Sequence, residues 1–219
     1  MKSHNEIIAF DMDGVLVDSK NSIINSLNHV LIELEFSALD HSRIDLIGLT
    51  IAEMLSKATN NLISQSQMLI AITKYRSQND ILGPSQTHPY TDIPQVLERL
   101  AKSYGLIVVT SKLQRSAIQL LKHLNLDQYF LDIFGLQADG VTESKDATLI
   151  RAQAKIDSLM NGSSEFVALV GDKKSDIQAA HIYGIHSVGA LWGYGADGEL
   201  DDADFLAHQP LNLLEIFEK

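Results

Sequence analysis

Ile7-Ile8-Ala9-Phe10-Asp11-Met12-Asp13-Gly14-Val15-Leu16-Val17-Asp18-Ser19 decides how the chain is read, because an apolar run feeds directly into two carboxylates two residues apart. Ile7 to Phe10 has the character of a strand covered on both faces, and Gly14 breaks it just past the acids. Asp11 and Asp13 are therefore expected at the carboxyl end of a buried strand. Paired acids there suit phosphoryl transfer: one attacks phosphorus while the other moves protons, once a metal offsets the repulsion between a carboxylate and an anionic phosphate. An Asp-x-Asp-Gly turn also occurs in calcium loops and in ordinary solvated turns, so the segment alone leaves those readings open.

Composition narrows the field. The chain has 219 residues, 45% hydrophobic and 21% charged, which describes a globular protein with room for a sizeable core. No apolar run reaches the length of a bilayer, and Met1-Lys2-Ser3-His4-Asn5 lacks the apolar stretch of a signal peptide, so a cytoplasmic protein with no membrane partner is expected. With no cysteine, disulfides, thiolate metal sites and cysteine nucleophiles are excluded, and any metal must be held by oxygen or imidazole. A formal net charge of -11 argues against nucleic acid, whose phosphates are neutralised by Lys and Arg. A small anionic substrate needs only local positive charge, which a divalent cation and a lysine or two can provide.

Beyond Ser19 the hydrophobic period becomes helical. Ile23, Leu27, Val30, Leu31 and Leu34 mark a helix over residues 22–36, followed by expected helices over 39–47, 51–59 and 65–78, until Gly83-Pro84 breaks the pattern. From Ile93 the order alternates: helix 93–104, strand 106–110, helix 115–124, a short strand at Ile133-Phe134, helix 146–160, strand 166–171, helix 175–183, strand 186–191 and a closing helix 211–217. That alternation predicts an α/β fold with a Rossmann-like doubly wound parallel sheet, residues 1–16 and 83–219, carrying an inserted helical cap domain, residues 17–82. Ligands in such sheets bind beyond the carboxyl ends of the strands.

Four segments together resemble the haloacid dehalogenase-like (HAD) hydrolases: the Asp11-Met12-Asp13-Gly14 stretch; Leu106-Ile107-Val108-Val109-Thr110-Ser111, an apolar strand ending in hydroxyls; Lys145 within Glu143-Ser144-Lys145-Asp146; and Phe166-Val167-Ala168-Leu169-Val170-Gly171-Asp172, with Asp176 four residues later. Trp192-Gly193-Tyr194-Gly195 is similar to a loop of the phosphoglycolate phosphatase-like members, where it shapes the edge of the site. The resemblance implies a type-one helical cap and a first strand lying between the second-motif and fourth-motif strands, so that Asp11, Thr110 and Asp172 stand side by side.

It also implies roles. Asp11 would be the nucleophile that forms an aspartyl-phosphate, and Asp13 the acid and base that serves the leaving group and then water. The family's dehalogenases lack this second acid, so Asp13 counts against carbon–halogen cleavage. Thr110 and Ser111 would bind the phosphate, and Lys145 would balance the charge of Asp11 and of the transferring group. Magnesium would be held by Asp11, the Asp13 carbonyl and Asp172, with Asp176 acting from behind on a bound water. Lys173 stands where many relatives carry Thr, which leaves its role open, exposure to solvent being one reading. The reaction implied is magnesium-dependent hydrolysis of a small phosphorylated metabolite by a monomer or weak homodimer.

Rival readings are a phosphosugar mutase of the beta-phosphoglucomutase type, an inorganic pyrophosphatase, a nucleotidase and a binding protein without turnover. The mutases grip a second phosphate with an arginine just after a cap glycine; here that loop reads Gly48-Leu49-Thr50-Ile51. Residues near Gly48 to Thr50, with Arg43, Lys57 and Arg76, are expected to sort leaving groups. Gly193-Tyr194-Gly195-Ala196-Asp197-Gly198 matches a dinucleotide-binding pattern, but too little chain follows to build that unit and Glu199, Asp201 and Asp202 would repel the ligand. His88, His181 and His186 lack helical ligand spacing and are expected to be surface or locally bonded residues.

Overall fold

The computed structural model describes residues 5–138, 143–160, 162 and 164–218; the expectation about Met1 to His4 lies outside them. In chain order the elements are β1 (Glu6–Phe10), β2 (Val17–Asp18), α1 (Lys20–Glu33), α2 (Ile51–Ala58), α3 (Gln65–Gln86), β3 (His88–Pro89), α4 (Ile93–Leu100), β4 (Gly105–Leu113), α5 (Gln114–His123), β5 (Asp132–Leu136), α6 (Lys145–Leu159), β6 (Glu165–Gly171), α7 (Lys174–Tyr183), β7 (His186–Ala190), β8 (Phe205–Ala207) and α8 (Asn212–Phe217). The chain divides into two compact units, Met1–Val17 with Pro89–Lys219, and Asp18–His88. No helix of the described residues is long and apolar enough to cross a membrane.

The larger unit holds a six-stranded sheet in the order β5-β4-β1-β6-β7-β8, all of its pairs parallel. Parallel strands need both faces covered, and β1 shows the consequence residue by residue. Ile8 and Phe10 point into one apolar cluster with Val96, Leu97, Ala117, Leu120 and Leu213; Ile7 and Ala9 point into another with Leu149, Ala152, Ile156, Ala179 and Ala180. The two-residue period of a strand thus divides an unbroken apolar run between two layers of helices. Phe10 pairs with Val108 on one side and Val170 on the other, so the residues just beyond these partners emerge together at the carboxyl edge.

The smaller unit is helical. α2 and α3 begin with reciprocal caps, Thr50 with Glu53 and Ser64 with Gln67, that satisfy amide donors the first turn leaves unpaired. α1 packs along α3 through buried Ile24, Leu27 and Leu31, with a polar seam beside them: Asn79 Nδ2 donates to Ser26 Oγ at 3.3 Å, and the Ser22 and Thr87 hydroxyls meet at 3.1 Å.

Two expectations fail here and one strand goes unnamed, each for a local reason. Residues 39–47 form no α-helix, only a 3-10 turn at Ile44–Leu46. Asn28 hydrogen-bonds both the amide and the carbonyl of Leu39, and the Asp40 carboxylate accepts the Ser42 amide at 2.8 Å, so side chains replace the helical ladder. Gly83-Pro84 does not end α3, which runs through it to Gln86. Pairing with α1, where Asn25 Nδ2 donates to Gln86 Oε1 at 2.9 Å, outweighs a proline so near the helix end. The edge strand β8 was not anticipated, because its three residues, with Phe205 and Leu206 exposed, carry no period to detect.

Stability should follow burial. Ile8→Ala removes a side chain with no exposure from the middle of the sheet and should lower the unfolding free energy by about 2–5 kcal/mol. Ile182→Ala, on the outer face of α7 at 72% exposure, should stay within about 0.5 kcal/mol of wild type. Urea titration of both variants reads the difference; equal losses would contradict this assignment of core and surface.

Candidate active site

The carboxyl edge of the sheet gathers Asp11 after β1, Thr110 within the end of β4 and Asp172 after β6. The Asp11 amide extends the parallel pairing by donating to the Val170 carbonyl at 2.9 Å. Lys145, the first residue of α6, reaches in so that Nζ lies 2.9 Å from Asp11 Oδ2 and also donates to Asp176 Oδ1. Asp176 is fully buried in the first turn of α7, where its Oδ2 accepts the Lys173 amide at 3.0 Å. Both Asp176 oxygens are therefore already engaged.

Asp172 differs. Its Oδ2 accepts the Tyr194 amide at 2.7 Å, while Oδ1 is buried with no hydrogen-bond partner among the described residues. Oxygens of Asp11, Asp172 and Asp176 lie within 4.8 Å of one another. Burial raises the Asp11 pKa to about 6 from an ordinary 3.8, against the pull of Lys145 and with a further push from Asp176. Burial also lifts Asp172 well above the carboxylate range, with Asp176 and Asp11 adding to the effect. The Lys145 pKa is raised as well, which in a lysine favours the charged form. Burial disfavours its charge, but Asp11 and Asp176 together outweigh that and hold it protonated.

Such a group of carboxylates with an unmatched buried oxygen fits a hard divalent cation, which oxygen donors suit best. Asp11 and Asp172 are placed to hold it, and Asp176, already bonded on both oxygens, fits a supporting place behind them. The space is set by glycines. At Gly14, φ +88°, an added Cβ would lie 2.1 Å from Asp172 Oδ2; at Gly193 it would lie 2.3 Å from Asp172 Cβ. Neither position can carry a side chain without displacing the carboxylate.

Thr110 is buried, and its hydroxyl accepts the Lys112 amide at 3.2 Å, which leaves its proton available for donation to an anion. Ser111 follows it and is exposed. Asp13 is not one of the three clustered acids: its Oδ2 lies 3.3 Å from Lys112 Nζ, and its Oδ1 is buried without a hydrogen-bond partner among the described residues. Lys173 does not face solvent. Its Nζ donates to the Tyr194 carbonyl at 2.6 Å, securing the loop whose amide holds Asp172. The glycine-rich stretch from Gly193 to Gly198 is thus a backing for Asp172, and the Trp192 indole ties it to the Val15 carbonyl at 3.1 Å.

Sequence reasoning overlooked Lys112 and the Tyr194 amide. Lys112 stands two residues past Thr110 just as Asp13 stands two past Asp11, a parallel that would have drawn attention to it. A backbone donor leaves no mark in residue types. His181 bonds Ser187 Oγ at 2.9 Å and, with His186, lies near Asp204, which makes it a local contact. In the helical unit Arg43 is paired with Asp45 at 2.8 Å.

The family model described as haloacid dehalogenase-like hydrolase matches residues 8–190. A 5'-nucleotidase from Pseudomonas aeruginosa is 28% identical over 205 residues, covering 93% of this chain and 88% of the relative. A phosphoglycolate phosphatase from Aquifex aeolicus is 28% identical over 214 residues, covering 97% and 96%. Among solved structures, a predicted phosphatase from Clostridium acetobutylicum superposes with a TM-score of 0.87 at 26% identity, covering 98% and 99% of the two chains.

The pKa shifts give a test with a definite sign. A carboxyl raised from 3.8 to about 6 binds its proton more tightly in the folded state, so it destabilises the metal-free fold as pH rises through 6. A cation that binds the ionised carboxylates relieves that loss. The rise in melting temperature on adding magnesium chloride should be large at pH 8 and shrink steadily below pH 6. An increment independent of pH would mean that Asp11 and Asp172 do not hold the ion.

Proposed function

Because the chain belongs to the haloacid dehalogenase-like hydrolases, we propose that it is a magnesium-dependent phosphatase that hydrolyses a small phosphomonoester through an aspartyl-phosphate on Asp11. The observation that carries the reading is the setting of Asp11. It ends the central strand, has a buried lysine on one oxygen, lies beside the unmatched Oδ1 of Asp172, and is followed two residues later by an acid with a free oxygen of its own.

In the first half-reaction an Asp11 oxygen forms a bond to phosphorus in line with the departing oxygen, and the bond to the leaving group breaks. Asp13 gives its proton to that oxygen. In the second half Asp13 takes a proton from water as the water attacks phosphorus, which releases phosphate and restores Asp11. Thr110 donates its hydroxyl proton to a phosphoryl oxygen, and the exposed Ser111 offers another donor. Lys145 keeps Asp11 ionised and offsets charge on the transferring group. Magnesium held by Asp11 and Asp172, with the Asp13 carbonyl, would supply Lewis-acid neutralisation of the phosphoryl charge.

Nucleotide monophosphates are the second class of substrate to consider, since a nucleotidase is among the relatives. A screen of sugar, glycolytic and nucleotide monophosphates together with pyrophosphate, with magnesium and with chelator, should reveal metal-dependent phosphate release from one class. No release from any of them, with or without metal, would overturn the reading.

Two substitutions examine the roles. Asp11→Asn should abolish turnover and leave no acid-stable protein-bound phosphate after rapid quench. Asp13→Asn should slow turnover of alkyl phosphates by about 10²–10⁴-fold, yet still accumulate phosphoenzyme from an activated aryl phosphate whose leaving group needs no proton. Turnover by Asp11→Asn would remove it as the nucleophile.

A further inference from the structure

Each of the two acids has a lysine beside it. Lys145 serves Asp11, whereas Lys112 has no part in the chemistry set out above, although its Nζ lies 3.3 Å from Asp13 Oδ2 and both side chains are largely buried, at 13% and 17% exposure. A side chain that places an ammonium there gives up rotamer freedom and part of its hydration, which solvated surface lysines keep.

The backbone is shaped to deliver it. β4 pairs in register with β5 up to Val109 opposite Phe134 and resumes at Leu113 opposite Leu136, so the stretch around Lys112 bulges out of the ladder. Bulges at strand ends re-aim side chains. The partner strand accommodates the bulge by lacking a side chain: a Cβ on Gly135 would lie 2.4 Å from the Lys112 carbonyl. Arg151, itself paired with Glu143 at 2.8 Å, donates to the Gly135 carbonyl at 2.8 Å and fixes that segment from the far side. On the other strand the turn after β1 is closed by Gly14 donating to Val17 and Leu16 donating to Met12, both at 2.9 Å. The backbones under Lys112 and Asp13 are both held, and the contact between their side chains determines how the carboxyl group is turned.

We infer that Lys112 is a positioning residue for Asp13: by engaging Oδ2 it leaves Oδ1, the buried oxygen with no hydrogen-bond partner among the described residues, as the one presented for proton transfer. The inference rests on the reading of Asp13 as the general acid and base. Proton transfer is sensitive to sub-ångström placement of the donor, so loss of the anchor should be felt only where the leaving oxygen needs a proton.

The experiment compares an alkyl phosphate found active in the substrate screen with 2,4-dinitrophenyl phosphate, whose leaving group departs as an anion. Lys112→Met keeps the length of the side chain and removes the ammonium. It should lower kcat for the alkyl ester by about 10–100-fold, within the span of a general acid's contribution, while kcat for the dinitrophenyl ester and both KM values change little. Lys112→Arg should recover part of the selectivity. Since the ratio of the two substrates is taken on one preparation, any loss of folded protein cancels.

Asp13→Asn and the double variant run alongside. Adding Lys112→Met to Asp13→Asn should not change the ratio further, because the lysine acts through the acid. An equal loss on both substrates for Lys112→Met, with Asp13→Asn still selective, would overturn the role given to Lys112 alone. Should Asp13→Asn itself lose activity equally on both, the assignment of Asp13 is what fails, and this inference falls with it.

Discussion

One ammonium among three buried carboxylates governs the centre of this molecule. Lys145 is bonded to Asp11 and Asp176, while Asp172 has only a backbone amide, so the cluster carries more negative charge than its own partners match. Removing one carboxylate from water is already unfavourable, and crowding raises the penalty for each of the others. On the proposed reading the remaining charge would be met by a cation, and the packed strands and glycines around the acids keep them together. The same imbalance that costs stability without an ion would favour binding of one.

That rigidity has identifiable sources. Two strands with hydrophobic neighbours on both faces fix Asp11 and Asp172 from below, and close backbone approach at Gly14 and Gly193 fixes Asp172 from the sides. Lys173 and Glu199 brace the loop from behind, Lys173 on the Tyr194 carbonyl and Glu199 on the amides of Lys174 and Ala196. Glycines here act by absence: the room that their missing side chains leave is occupied by carboxylate.

Much of this was legible in the amino-acid order, and the division between what was and was not has physical grounds. β1, β4 and β6 announce themselves as apolar runs that end in functional residues, since a buried parallel strand leaves no alternative to apolar side chains along its length. Long helices show through their period. What escaped depended on contacts between distant segments: α3 continuing past Pro84 because α1 supports it, the short edge strand β8, and the turn at 39–47 stabilised by Asn28. In the site, Asp11, Thr110, Lys145 and Asp172 were readable from motif order, whereas the partner of Asp13 depended on a bulge whose cause lies in another strand, at Gly135. The role of Lys173 stayed open in the sequence because the carbonyl it bonds belongs to a residue twenty-one positions away.

The strand order carries a consequence for how the molecule comes into being. β1 is made first but lies between β4 and β6, so its two neighbours are synthesised only after the whole helical unit and, for the second, most of the remaining chain. Until Glu165–Gly171 has left the ribosome, one edge of β1 has no strand partner. The helical unit, whose contacts are local, can form meanwhile. The acids come together late, once β6 and the start of α7 are made and Tyr194 can reach Asp172, so the site is completed at one late step of synthesis and does not grow with length.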